Sequence, residues 1–184
     1  LVAALVPDSP HEVLDLAERW LDMVDDAETA DALGWLVLGP ALLAAGEPVG
    51  ESLAGLKGHA QAAVRRTAIM AAMACLPTPV EGCAAAALKE RFGRRLRFVE
   101  APHSEQLRRV VEAFSGDKAP TVRKSLARVW RCWGQHDPAE AEAVLETVTN
   151  LPHFVREEAK RGIRKGKGST SAGTPSKLSP DPQD

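Results

Sequence analysis

Residues 119–134 read APTVRKSLARVWRCWG, and their apolar positions repeat with the period of an α-helix. The apolar side chains are those of Val122, Leu126, Val129, Trp130 and Trp133. Spacings of three and four residues put them on one face, which we expect to be buried. Lys124, Arg128 and Arg131 stand at i, i+4 and i+7 on the opposite face. The stretch therefore predicts a helix with one packed side and one basic side.

Similar patterns recur along the chain. Residues 63–66 (AVRR) resemble residues 121–124 (TVRK), and both groups open the second helix of a predicted pair. The predicted helices cover residues 11–24, 27–46 with a kink or break at Pro40, 48–57, 60–76, 80–100, 104–115, 119–134, 137–149 and 152–165. Long helices alternate with shorter ones, and the spacing of about 35 residues is typical of stacked helical repeats. We therefore predict an all-α fold, a HEAT-like α-solenoid of antiparallel helix pairs (an alpha-alpha superhelix).

The chain divides into a repeat domain and a tail. We expect residues 1–165 to form one domain and to lack upstream helices, because the sequence opens at Leu1 rather than Met. Residues 166–184 are rich in Gly, Ser, Thr and Pro, which predicts disorder. A basic cluster stands at the junction with this tail: Lys160, Arg161, Arg164, Lys165 and Lys167. That cluster is either a nucleic-acid contact or a favourable basic helix C-terminus.

Composition excludes several classes of protein. No apolar run reaches the roughly 18 residues that a membrane span needs, so we expect no membrane association. The three cysteines and five histidines match no metal-ligand spacing, and no Gly-rich phosphate loop is visible. We expect no metal and no cofactor, with reduced, packed thiols in a cytoplasmic protein.

The charge is unevenly distributed, although the net charge is only −2. Residues 1–50 hold ten acidic side chains and one basic side chain, whereas residues 51–134 hold fifteen basic and seven acidic ones. This positive middle segment is either a surface that faces a polyanion or an ordinary solvated helix surface.

Asp31 and several basic residues are the candidates for chemistry. Asp31 comes early in the second helix of the first pair, and Arg66 comes early in the second helix of the next pair. We expect these helices to line the concave side, so that the carboxylate faces Arg66 and the basic side of residues 119–134. Cations hold phosphates, and a carboxylate stabilises positive charge that develops at a sugar or base. Alternatively, Asp31 caps its helix or pairs locally, since Asp25, Asp26 and Glu28 are close by.

Three segments resemble the AlkD-like DNA alkylation repair family of HEAT-repeat alkylpurine DNA glycosylases. Residues 24–33 (VDDAETADAL), with Leu-Gly at 38–39, are similar to the family's Val-Asp-Asn-Trp-x-x-x-Asp stretch. Residues 64–69 (VRRTAI) are similar to its Trp-x-Arg-Arg-x-Ala-Ile opening. Residues 122–131 and the following Asp-Pro at 137–138 are similar to its Lys-Ala-x-Gly-Trp-x-x-Arg helix. With the stretch from Arg156 to Lys160, the resemblance covers roughly residues 10–165.

The resemblance implies an enzyme that binds double-stranded DNA and excises cationic alkylated purines. It implies that Asp31 is the catalytic carboxylate and that Arg66 is the active-site arginine. Ala27 and Arg128 stand where the family has tryptophans that bracket the lesion nucleotide. Trp35, one turn beyond Asp31, either replaces a lost aromatic contact or packs in the core. We predict DNA contacts from Arg65, Lys124, Arg128, Arg131, Lys160 and Arg164.

Three functions remain open at this point. The first is a glycosylase, the second a non-catalytic DNA-binding relative, and the third a HEAT-repeat scaffold for a protein partner. The basic middle segment favours the two functions that involve DNA. The missing aromatic residues make the glycosylase less favoured and the non-catalytic relative more favoured. We expect a monomer in the cytoplasm, associated with the nucleoid when it is bound to DNA.

Overall fold

The computed structural model describes residues 10–76 and 104–171, and helices dominate both segments. Neither segment contains a β-strand, and the predicted all-α class is confirmed. The α-helices are α1 (Pro10–Leu21), α2 (Ala27–Leu33), α3 (Gly39–Ala45), α4 (Glu47–Gly55), α5 (Ala62–Ala72), α6 (Ser104–Ala113), α7 (Pro120–His136), α8 (Pro138–Thr147) and α9 (His153–Ser171). The helix predicted at residues 80–100 lies outside the described residues.

The region from residue 27 to residue 45 departs from a regular helix in its middle. Residues Gly34–Leu38 form a π-helical turn between α2 and α3, and the Gly39 N–H donates to the Gly34 carbonyl. Pro40 follows directly in the first turn of α3. Proline lacks an N–H and its ring disfavours the preceding helical turn. The predicted interruption near Pro40 is therefore confirmed, and it takes the form of a wider turn.

Helix α8 begins where the sequence predicted it to begin. The Asp137 carboxylate accepts a hydrogen bond of 2.9 Å from the Glu140 N–H, and Pro138 is the first residue of the helix. An aspartate at this position satisfies one of the N–H groups that a helix start leaves unpaired, and proline suits the first turn. The prediction that these two residues open a helix is confirmed.

The predicted end of the last helix at residue 165 is wrong. Helix α9 continues to Ser171, so residues 166–171 of the expected disordered tail are helical. A Cβ atom at Gly166 would lie 2.5 Å from the Gly134 carbonyl oxygen of α7. The glycine that suggested a flexible tail instead lets α9 stay in close contact with α7. Residues 172–184 lie outside the described part of the chain.

The apolar face of α7 lies at the centre of the core. All of its predicted inward side chains are at most 1% exposed: Val122, Leu126, Val129, Trp130 and Trp133. The rings of Trp130 and Trp133 lie 5.1 Å apart between centroids in a tilted arrangement, a distance at which aromatic rings interact. The prediction of a buried stripe is confirmed.

Helices α2, α5, α7 and α9 contact one another in chain order. Helix α2 and its π turn pack on α5, α5 packs on α7, and α7 packs on α9 over a long contact. Helices α4 and α6 pack against each other; α6 also packs on α5, and α4 packs on α3. The order of contacts places the start of α5 between Asp31 on one side and the start of α7 on the other.

The described cysteines pack as ordinary apolar side chains. Cys75 and Cys132 are buried in the core, and burial raises the pKa of the Cys75 thiol to about 12. A thiol with that pKa stays protonated and unreactive near neutral pH. None of the helices in residues 10–76 and 104–171 combines the length and apolar character needed to cross a membrane.

Candidate active site and nucleic-acid interface

Asp31 and Arg66 form a bidentate ion pair between α2 and α5. The Arg66 Nε donates to Asp31 Oδ1 at 2.6 Å, and Nη2 donates to Oδ2 at 2.7 Å. The Arg66 Nη1 also donates to the Thr121 carbonyl of α7 at 3.1 Å. The Asp31 side chain is 19% exposed and the Arg66 side chain is 12% exposed. Arg66 thus links three helices while the carboxylate stays within reach of solvent.

Glycine contacts allow the helices to approach closely enough for this pair. A Cβ atom at Gly34 would collide with the Thr67 carbonyl oxygen and lie 2.9 Å from the Met70 Cβ. A Cβ atom at Gly39 would lie 2.7 Å from the Ala74 Cβ. The backbone of the π turn therefore touches α5 directly, which brings Asp31 opposite Arg66 across the same contact.

An open cleft of about 320 Å³ lies beside the ion pair. Its lining residues are Val24, Asp25, Asp26, Ala27, Gln61, Ala62, Ala63, Arg66 and Thr121. The lining combines small apolar side chains with Asp25, Asp26 and Arg66. Ala27 faces this cleft, so the lost family tryptophan would have stood at its wall. Ala63 also occupies the tryptophan position of the family's Trp-x-Arg-Arg pattern, a departure that we missed in the sequence.

The local alternative for Asp31 is wrong, because its neighbour Asp26 caps the helix. Asp26 Oδ1 accepts from the N–H groups of Glu28 at 2.7 Å and Thr29 at 2.9 Å. The Thr29 hydroxyl donates to Asp26 Oδ2 at 2.6 Å. These bonds, led by the one from the Thr29 side chain, hold the pKa of Asp26 below its ordinary value. Asp31 is left to pair with an arginine that is distant in sequence.

Arg65, a predicted DNA contact, ties α5 to the loop before α7. Its Nε donates to Asp117 at 2.6 Å, and its Nη1 donates to the carbonyls of His59 at 2.7 Å and Ala60 at 3.1 Å. Burial disfavours the charged form of Asp117, but hydrogen bonds from Arg65 and the Ala119 N–H outweigh it. The pKa of Asp117 therefore lies below its ordinary value. DNA binding by Arg65 stays a prediction, and its observed contacts join α5 to the loops before α5 and α7.

The other predicted DNA contacts lie on α7 and α9. Lys124 is exposed, Arg128 is half-buried, and Arg131 pairs with Glu158. On α9, Lys160 pairs with Glu157 at 3.0 Å and Arg164 is exposed. None of these five side chains lines the cleft beside Asp31. Their binding to DNA remains a prediction.

Trp35 is buried within the π turn, with 6% of its surface exposed. It packs in the apolar core and is not among the residues that line the cleft. Of the two interpretations that the sequence left open, its surroundings match packing.

Sequence reasoning missed one acidic residue beside the basic surface, Glu158. Glu158 is buried and accepts from Arg131 of α7 and from Arg161 of α9, the latter at 2.9 Å. An i, i+3 relation between Glu158 and Arg161 was the available signal, but the partner on α7 is 27 residues away. No group of three or more potential metal ligands occurs within residues 10–76 and 104–171.

Comparison with known protein families identifies the chain. The family model described as DNA alkylation repair enzyme matches residues 1–163. This match covers most of the chain, so the protein belongs to that family. Searches of curated proteins and of solved structures returned no match.

Proposed function

We propose that this member of the DNA alkylation repair enzyme family is a DNA glycosylase that releases cationic alkylated purines from duplex DNA. We assign the catalytic role to Asp31 and the role of holding it to Arg66. The observation that carries the proposal is the ion pair itself, which holds the partly exposed carboxylate of Asp31 against Arg66. Arg66 lines the open cleft, whereas Asp31 contacts the cleft through Arg66 and is not a lining residue. The family match supports a role in DNA alkylation repair.

The carboxylate of Asp31 can accept further hydrogen bonds beside those from Arg66. A carboxylate has about four lone-pair directions, and Arg66 takes one on each oxygen of Asp31. The remaining directions can accept a water molecule or face a developing cation. Arg66 thereby orients the carboxylate before the substrate arrives, which is how preorganised charges contribute most to catalysis.

The reaction needs little from the protein beyond charge and position. An N-alkylated purine already carries a positive charge, so the bond from its nitrogen to C1′ of the sugar breaks with the electron pair going to the base. The base leaves neutral, and positive charge develops on the sugar. Asp31 stabilises that charge and orients the water that adds to C1′ and then loses a proton. The products are the free base and an abasic site.

We propose that α2, α5, α7 and α9 form the inner row of a HEAT-type superhelix and that DNA lies along that row. The successive contacts between these helices support this arrangement. The exposed Lys124 and Arg164 are candidate phosphate contacts, together with Arg128 and Arg131 of α7. We further propose that the protein acts as a cytoplasmic monomer that associates with the nucleoid through DNA.

The decisive experiment incubates excess protein with methylated duplex DNA and measures the free base and the abasic site. We expect both products in equal amounts from 7- or 3-alkylated purines. Asp31→Asn tests the catalytic assignment. Asp15→Asn, which alters an exposed carboxylate of α1, is its matched control and should keep full activity. If no base is released at saturating protein concentration, the glycosylase proposal is wrong.

A second candidate is a non-catalytic DNA-binding relative. The specific observation in its favour is Ala27, which leaves the cleft without the aromatic wall that the family resemblance implies. Such a protein would bind duplex DNA in a salt-sensitive manner and release no base. Measuring binding beside base release separates the two candidates. A protein-partner scaffold would show neither activity.

A further inference from the structure

Glu158 is a buried acidic residue held between two arginines of different helices. Its side chain is 8% exposed, whereas the side chains of Arg131 and Arg161 are 45% and 66% exposed. Arg131 Nη2 donates to Glu158 Oε2, and Arg161 Nη1 donates to Oε1 at 2.9 Å. Each carboxylate oxygen therefore holds one guanidinium group at the surface where α7 and α9 meet.

Glycines place the two arginines around this carboxylate. A Cβ atom at Gly162 would collide with the Arg131 carbonyl oxygen, and one at Gly134 would lie 2.6 Å from the Ile163 N. The backbones of α7 and α9 are in contact at these points. Arg131 consequently reaches Glu158 across the contact, and Arg161 reaches it from one turn along α9.

Binding of an anion explains this arrangement better than a purely stabilising role does. One carboxylate faces two guanidinium groups, so the cluster keeps a net positive charge of one. Each arginine uses one terminal nitrogen on Glu158, and its remaining N–H groups donate no hydrogen bond to another residue within 10–76 and 104–171. A guanidinium group presents five N–H donors in a fixed plane, and fixing it in advance lowers the entropy lost on binding.

We propose that Arg131 and Arg161, positioned by Glu158, form a clamp for one backbone phosphate of duplex DNA. The two arginines donate to the non-bridging oxygens of that phosphate, and Glu158 acts as a positioning residue that does not touch the DNA. Lys124 and Arg128, at i−7 and i−3 from Arg131 on α7, extend the same basic surface. The inference rests on the proposed binding of DNA, but it does not require that the protein releases a base.

The first test replaces each arginine with lysine, which keeps the charge and removes the planar fork. Affinity for an unmodified duplex oligonucleotide is measured at several salt concentrations for wild type, Arg131→Lys and Arg161→Lys. We expect each variant to bind about tenfold more weakly, because lysine cannot hold both Glu158 and a phosphate in the same geometry. Arg108→Lys alters an exposed arginine paired with Glu112 on α6, and it should bind like wild type.

The second test is Glu158→Gln, for which two accounts predict opposite results. If Glu158 only offsets positive charge, the variant gains one unit of net charge and binds DNA more tightly. The clamp predicts weaker binding by severalfold, because the arginines lose the partner that orients them. Thermal unfolding identifies any loss of folding in this variant, and in that case the lysine variants decide.

The outcomes separate this inference from the proposed function. Wild-type affinity in both lysine variants, or tighter binding by Glu158→Gln, overturns the clamp. Neither result contradicts the proposed glycosylase function. Absence of duplex binding by the wild-type protein overturns both. Weaker binding in all three variants with intact folding supports the clamp, whether or not the wild-type protein releases a base.

Discussion

Ala27 stands where the sequence resemblance implies a tryptophan. It lines the cleft beside Arg66, and its methyl group leaves open the wall where a tryptophan would stand. An aromatic wall restricts the position of a bound nucleotide, and small errors of position lower rates strongly. We therefore expect Asp31 to be in place to stabilise positive charge, while the bound nucleotide is held less firmly than an aromatic wall would hold it.

Restoring the aromatic wall should raise the activity. We expect Ala27→Trp to increase the single-turnover rate of base release about tenfold, because the ring would reduce the motion of the nucleotide beside Asp31. Ala139→Trp adds the same side chain at an exposed position of α8, outside the cleft, and should leave the rate unchanged. A rate for Ala27→Trp equal to that of wild type would show that the cleft does not hold the lesion.

The pair of Arg65 and Asp117 should contribute stability that depends on pH. The folded-state pKa of Asp117 is lowered, so its contribution is complete above the unfolded pKa of about 4 and is lost as the pH falls through the folded value. We expect Asp117→Asn to lower the free energy of unfolding at pH 7 by about 2 kcal/mol. The difference from wild type should shrink towards pH 2.

Urea unfolding at pH 7 and at low pH measures this effect. Asp22→Asn, which alters an exposed carboxylate after α1, is the control and should change the stability little at either pH. A difference between wild type and Asp117→Asn that stays constant with pH would mean that the ionised carboxylate does not stabilise the fold.

The residues of the candidate site could be predicted from the sequence only where their helical position carried the signal. Asp31 and Arg66 were found because each stands early in its helix, and the structure joins them. Glu158 was missed because a buried acid and its distant arginine have no local pattern. The function of Thr121 was missed as well, since its carbonyl acts through the backbone and any residue could supply it.

At the scale of elements, hydrophobic period predicted which segments are helices but not how they end or bend. The stripe of α7 is apolar at regular intervals, and burial follows directly from that pattern. The length of α9 depends on Gly166 packing against α7, a contact between distant segments. The π turn likewise depends on Gly34 and Gly39 lying against α5, which a local period cannot reveal.

The contact between the π turn and α5 should be sensitive to a single methyl group. Gly34→Ala puts a Cβ atom into the Thr67 carbonyl, so we expect a loss of about 1–3 kcal/mol in the free energy of unfolding. The shift should also move Asp31 away from Arg66 and slow base release. Chemical denaturation and a single-turnover assay measure both effects.

Gly55→Ala is the matched control for this change. Gly55 ends α4 with helical backbone angles, and a Cβ atom there meets nothing within 4 Å. We expect equal or slightly higher stability, because alanine favours a helix over glycine by about 1 kcal/mol. If Gly34→Ala behaves like Gly55→Ala, the close approach does not hold the site in place.

At the scale of the whole molecule, the basic side chains of α7 and α9 lie on the helix series that also carries Asp31 and Arg66. Binding to DNA through such side chains releases counterions, so affinity should fall linearly on logarithmic scales as salt rises. We expect Lys124→Ala to reduce that slope by about one unit. Lys57→Ala, at an exposed turn after α4, should leave the slope unchanged. Equal slopes for both variants would place the DNA elsewhere.

The whole account depends on the chemical role of one carboxylate in a stack of helices. The most direct measurement is the single-turnover rate of base release from methylated duplex DNA by the wild-type protein and by Asp31→Asn, with each protein saturating the DNA. Asparagine keeps the shape of the side chain and an acceptor for Arg66 but removes the charge. We predict a rate lower by about 100-fold or more with unchanged DNA affinity. Equal rates for the two proteins would contradict the assignment of catalysis to Asp31.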